Sequence, residues 1–166
     1  MNMTSKAVIL MSVLALGACN DALRQGGAGS GSAAGIEPGS PSDPTSVAYF
    51  QQTVGDRVLF EVDQATLTPQ GQAILDGQAT WLTTNAVYNA VVEGHADEQG
   101  TREYNLALGA RRADAVRNYL ISRGVAGNRV QTVTYGKERP AEICSEEACY
   151  AQNRRSVTVL AAGASG

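Results

Sequence analysis

The chain is short of the groups that most often carry out chemistry. It has a single histidine, His95, which excludes HExxH zinc sites and any relay that needs two imidazoles. It has no GxSxG nucleophile elbow and no phosphate-cradling GxxxxGKS or GxxxxGKT loop. Long runs of like charge and basic stripes are also missing, and the formal net charge is −3, so nucleic acid is not an expected partner. No apolar run reaches the roughly 20 residues that cross a bilayer. The 166 residues suffice for one domain with a core and are too few for two comfortable ones.

The longest apolar run, Ala7 to Leu16, follows a positive Lys6 and ends in LGAC, Leu16 to Cys19. Its length of about ten residues suits a signal-peptide core rather than an anchor. Small residues ahead of a cysteine suit a peptidase that accepts extended backbone with little side-chain bulk. The pattern resembles the lipobox of bacterial lipoproteins, which implies residues 1–18 as a signal peptide and Cys19 as a lipidated new N-terminus. An ordinary secretory signal beside a chance cysteine is the alternative. Asn20, in place of aspartate, implies sorting to the outer membrane. Loss of residues 1–18 leaves 12 bases against 16 acids, a charge of −4. The membrane is then reached by lipid, each buried CH₂ contributing about 0.8 kcal/mol.

From Asn20 to Ser46 the composition collapses into Gly, Ser, Ala and Pro, so residues 19–46 are expected to form the lipidated cysteine and a flexible linker. A linker of this length spans about 28 Å on average and about 90 Å when extended. A domain is expected over residues 47–161, with a tail at 162–166. Cys144 and Cys149 lie in CSEEAC, and in an exported protein a disulfide between them is the expected reading. Further ligands for a metal are not evident nearby, and no cofactor is expected.

At the start of the domain, SVAYFQQTV (Ser46 to Val54) suggests a helical turn, and Arg57 to Val62 a first strand. Thr68-Pro69 starts a helix, with Ile74, Leu75, Trp81 and Leu82 on one side. Tyr88 to Gly94 reads as a second strand. A longer helix runs from a Thr101 cap to a stop at Gly124, its inner face being Leu106, Gly109, Ala113, Val116 and Leu120. Arg129 to Tyr135 and Ser156 to Leu160 alternate as strands, with the cysteine loop and a helical turn between them. The order β-α-β-α-β-β predicts an α/β (α+β) two-layer sandwich, with two main helices on one face of a four-stranded mixed sheet.

The densest charge lies just before and along the longer helix. Asp97 precedes the helix N-terminus, where backbone N–H groups point outward. Asn105 and Arg112 are seven residues apart, within about 20° of two full turns, so they share a face with Leu108 between them. The groove so formed offers a carboxylate, an amide, an aliphatic floor and a guanidinium, and suits a ligand carrying both an ammonium and a carboxylate. Pairing of Asp97 with Arg112 or with solvent is equally compatible with the spacing. His95, at a strand end, is expected to brace the next loop through a hydrogen bond, and Arg111 to serve as a surface charge or interface residue.

EGHADEQGTREYNLALGARRADAVRNYL (Glu93 to Leu120), YGKERP (Tyr135 to Pro140), NRRSV (Asn153 to Val157) and VGDRVLFEVD (Val54 to Asp63) together resemble the OmpA-like peptidoglycan-binding domain family over about residues 47–161. The resemblance implies non-covalent binding of the diaminopimelate of peptidoglycan stem peptides. It places the ligand-binding Asp at Asp97, on the ammonium, and the Arg at Arg112, on the carboxylate. It puts the helix asparagine at Asn105, makes Phe60 and Asp63 pocket-lining, and leaves Arg154 or Arg155 for a second anionic contact. The usual Phe-Asp-Phe-Asp reads FEVD here, so Val62 replaces an aromatic, and GHAD replaces the commoner GHTD.

With the lipobox and linker, the resemblance further implies a non-enzymatic, outer-membrane lipoprotein with its domain in the periplasm. TolB of the Tol envelope system, which helps constrict the outer membrane at division, is then the implied protein partner. One rival is a wall-binding lipoprotein with no Tol partner. Another is a carboxylate-dependent wall hydrolase using the cluster Glu93, Asp97, Glu98 and Glu103.

Overall fold

A computed structural model describes residues 37–143 and 145–162. The expected signal peptide, Cys19, most of the linker, Cys144 and residues 163–166 lie outside the described residues.

Ser46 caps a short helix, α1 (Val47–Tyr49), its hydroxyl accepting from the Tyr49 N–H at 2.9 Å. The helix widens into a π turn over Phe50–Gly55. Pro44 and Thr45, which composition assigned to the linker, are tied to the domain. The Pro44 carbonyl accepts from the Trp81 indole at 2.7 Å, and that of Thr45 from the Tyr88 hydroxyl at 3.3 Å. Strand β1 covers only Arg57–Leu59. It is shorter than the expected strand because the chain turns at Glu61 to Gln64, with Asp63 in the left-handed region at φ 59°.

Helix α2 (Pro69–Thr84) starts as the Thr-Pro pair predicts, Thr68 Oγ1 accepting from the Gly71 N–H at 3.0 Å. It buries Leu75, Ala79, Trp81 and Leu82, together with a polar residue that periodicity does not mark, Gln78. Both ends of the Gln78 amide have a partner inside: it donates to the Gly55 carbonyl and accepts from the Thr158 hydroxyl, each at 2.7 Å. Strand β2 is Tyr88–His95. Helix α3 (Arg102–Ser122) is capped by Thr101 and stops at Gly124, whose φ of 99° a side chain would resist. Strand β3 (Val130–Gly136), helix α4 (Glu147–Asn153) and strand β4 (Arg155–Ala162) complete the described chain.

The sheet order is β1-β4-β2-β3. Only β2 and β3 run parallel, joined by α3 as the crossover, while β4 is antiparallel to both β1 and β2. The fold is the expected two-layer sandwich with a mixed sheet. Its core joins Val58, Ala90, Val92 and Val130 of the strands to Leu75, Leu82, Val116 and Leu120 of the helices. The termini of β2 and α3 therefore meet beside the turn after β1, and that junction carries the site.

Candidate functional site

The junction forms a cleft of about 240 Å³. One wall is the turn after β1, with Val62 and Asp63; the other is the β2–α3 loop, with Asp97 and Gln99. The floor comes from α3, as Tyr104, Asn105 and Leu108. The loop is tightly held. Asp97 Oδ1 accepts from the Gln99 N–H at 3.2 Å, and the buried Asn105 amide donates to the Gln99 carbonyl at 2.8 Å. From behind, the Tyr150 hydroxyl of α4 bonds the Glu98 carboxylate at 3.0 Å, and Lys137 Nζ the Gly100 carbonyl at 2.8 Å.

Asp97, Asn105, Leu108 and Asp63 all line the cleft, as their positions in the sequence suggest. Phe60, Arg112 and Arg154 do not; they are buried behind it. The expectation of an open guanidinium at the end of the groove is therefore corrected. Arg112 is 0% exposed, and its N–H groups donate to three carbonyls: Gln64 at 2.7 Å, His95 at 2.9 Å and Glu61 at 3.1 Å. A guanidinium removed from water needs acceptors for its five donors, and the turn after β1 supplies two of these carbonyls. Its carbon lies 5.2 Å from the centre of the Phe60 ring. Burial pulls the Arg112 pKa down to about 10, with the nearby Asp97 charge opposing the fall, so it stays cationic at neutral pH. Arg112 thus presents a positive field through the cleft wall.

Arg154 is turned inward too. One terminal nitrogen bonds Asp97 Oδ2 at 3.1 Å, Nε donates to the Phe60 carbonyl at 3.3 Å, and the other terminal nitrogen pairs with Glu147 of α4. Arg155 bonds the Asn153 and Arg139 carbonyls, away from the cleft. The Asp97–Arg112 pairing that spacing left open is instead an Asp97–Arg154 pair.

Tyr104 and Gln99 were missed in the sequence. Tyr104 sits one turn before Leu108, so the spacing that marked Asn105 and Arg112 also points to it. Its hydroxyl is hydrogen-bonded to the Asp63 carboxylate across the mouth of the cleft, which pushes the phenol pKa up. Arg111 is exposed, its guanidinium 5.9 Å from the Tyr104 ring centre.

His95 braces its surroundings mainly through the backbone. The brace is its backbone carbonyl, which holds Arg112. The ring is buried, and its polar contact with the Arg139 backbone is too poorly aligned for a well-formed hydrogen bond. Glu93 Oε2 lies 3.4 Å from Nε2 but off hydrogen-bond geometry. Desolvation, then the Arg155 and Arg139 charges, lowers its pKa to about 4, so the imidazole is neutral at physiological pH.

Cys149, in α4, is disulfide-bonded. Among the described residues no cluster of His, Cys, Asp and Glu could hold a metal, and no helix is long and apolar enough to cross a membrane.

Residues 59–154 match the OmpA family. The chain is 50% identical over 156 residues to the peptidoglycan-associated lipoprotein of Rhizobium meliloti, covering 92% of this chain and 85% of the relative. It is 47% identical to that of Agrobacterium fabrum, covering 93% and 86%. The crystal structure of the peptidoglycan-associated lipoprotein from Burkholderia pseudomallei superposes with a TM-score of 0.66 at 36% identity, covering 72% of this chain and all of that one.

Proposed function

The chain belongs to the OmpA family, with the peptidoglycan-associated lipoproteins as its relatives, and from that premise we propose that it tethers the outer membrane to peptidoglycan. The domain binds the diaminopimelate of stem peptides non-covalently, and it is not an enzyme. Its acyl chains, carried on Cys19, sit in the outer membrane, and the Gly/Ser/Pro linker lets the domain reach the wall through the periplasm. TolB is its protein partner in the Tol–Pal system, which maintains the envelope and assists division.

The observation that carries this reading is the charge arrangement of the cleft. Asp97 and Asp63 are its ionisable walls, and the cationic Arg112 lies directly behind. The zwitterionic end of diaminopimelate fits that gradient. Its ammonium takes Asp97, its carboxylate lies toward the Arg112 field, and Leu108 meets its methylenes. A lysine-containing stem peptide lacks the second carboxylate and loses half of the match. Bulk charge adds nothing, since the protein and the wall-peptide carboxylates are both acidic.

Calorimetric titration of the purified chain tests this. A diaminopimelate-containing stem peptide binds, while a lysine-containing one binds much more weakly. Asp97→Ala costs roughly 2–5 kcal/mol of affinity, as expected when one partner of a desolvated charge contact is removed. Equal binding of both peptides, or binding unaffected by Asp97→Ala, rejects the cleft as the wall anchor. Release of soluble muropeptides by the protein would instead establish a hydrolase, and failure to retain TolB would remove the Tol assignment.

A further inference from the structure

Asp97, which lines the cleft although only 8% exposed, is one end of a chain of contacts that starts on α4. Glu147, whose side chain is 65% exposed, pairs with one terminal nitrogen of Arg154. The other terminal nitrogen of Arg154 holds Asp97 Oδ2 at 3.1 Å, and its Nε is fixed on the Phe60 carbonyl. Arg154 is only 3% exposed and does not line the cleft. A second contact runs parallel to the first, with the Tyr150 hydroxyl on the carboxylate of Glu98, the residue after Asp97. Helix α4 therefore grips the ligand-facing loop at two successive residues.

From this geometry we propose that Arg154 and Glu147 are positioning residues for ligand binding, acting through Asp97 rather than on the ligand. The argument rests on the function proposed above. A carboxylate that grips an ammonium must present a fixed oxygen, and a free Asp side chain would lose rotamer freedom on binding. Arg154 fixes Oδ2, and the Gln99 N–H fixes Oδ1, so the carboxylate plane is set before the ligand arrives. Glu147 occupies the remaining arm of the guanidinium. Without it, Arg154 would be free to close further on Asp97 and compete with the ligand ammonium. A planar fork is needed to hold Asp97, Glu147 and the Phe60 carbonyl at once, which a lysine cannot do.

The test is a double-mutant cycle on the full chain, with free meso-diaminopimelate as ligand and amide NMR shifts as the readout, which registers weak as well as tight binding. Glu147→Gln, at an exposed side chain, weakens binding by about threefold or more, and Arg154→Met by about tenfold or more. Arg154→Lys restores part of the loss. In an Asp97→Asn background, neither Glu147→Gln nor Arg154→Met weakens binding further, because the group they act through is gone. Effects that persist undiminished beside Asp97→Asn overturn the proposal, as would wild-type affinity in Glu147→Gln and Arg154→Met alike. Failure of the unmodified chain to bind the ligand would instead overturn the function on which it rests.

Discussion

The backbones of Gly94 and Gly109 touch: a Cβ added at Gly94 would lie 1.9 Å from the Gly109 carbonyl oxygen, and one added at Gly109 would lie 2.8 Å from that of Gly94. This contact sets the distance between β2 and α3. It thereby sets the position of Asn105, Leu108 and Arg112, which flank Gly109 on α3, relative to Asp97 at the end of the strand. Two backbones cannot yield as a side chain can. Gly94→Ala should cost about 3 kcal/mol or more, at or beyond the upper end of overpacking penalties. Gly109→Ala should cost less, because alanine's better helix propensity returns about 1 kcal/mol. Urea titrations of the two variants check the order; equal stability of Gly94→Ala and wild type would contradict the contact.

Arg112→Ala should fail in two ways at once. It removes the charge behind the cleft, and it strands the Gln64, His95 and Glu61 carbonyls that the guanidinium satisfies. The His95 carbonyl is the buried acceptor among them and costs about 1–3 kcal/mol when stranded. The carbonyls of exposed Gln64 and Glu61 can turn to water, and the lost packing of the buried side chain adds to the fall in stability. Asp97→Asn removes the charge partner of buried Arg154 but keeps an oxygen for it to donate to. It should therefore weaken ligand binding with a smaller fall in melting temperature than Arg112→Ala. Thermal melts run beside the binding titrations separate the two; a full wild-type melting temperature for Arg112→Ala would disprove the brace.

His95 should make the domain acid-sensitive. Its folded pKa, about 4, lies below the ordinary value of 6.5, so the unfolded chain takes up the proton first as pH falls. The contribution to stability is complete above about pH 6.5 and is lost progressively toward pH 4, reaching roughly 3 kcal/mol at the bottom of that window. His95→Gln removes this part of the slope while the carboxylates keep theirs. Denaturant titrations of both proteins at several pH values test it, and parallel profiles would reject it.

Trp81, the only tryptophan, reports on the N-terminal arm through its 2.7 Å bond to the Pro44 carbonyl. Removing residues up to Ser46 should uncover the indole, move its emission to the red and cost about 1–2 kcal/mol for the lost hydrogen bonds and cap. Unchanged emission would show that the arm does not cover the ring.

Much of the fold is written locally. Thr68-Pro69, Thr101 and Gly124 mark helix ends because a cap or a left-handed stop is satisfied within a few residues. Leu75 with Leu82, and Val116 with Leu120, mark inner faces because helical period is a local property. Strand β1 is shorter than composition suggests because Phe60 and Val62 are strand-like residues, and only the turn at Asp63 ends the run. Gln78 gave no signal, since a buried amide is identified by distant partners, here Gly55 and Thr158.

The site divides along the same line. That Asp97, Asn105 and Leu108 lie side by side was legible in the sequence, because one loop and one helix face carry all three. That Arg112 is turned inward, and that Arg154 rather than Arg112 holds Asp97, was decided by the tertiary structure alone. The acceptors of Arg112 lie 17, 48 and 51 residues away, and Arg154 is 57 residues from Asp97. A desolvated guanidinium goes where carbonyls and carboxylates converge. That convergence exists only once β4 is inserted between β1 and β2.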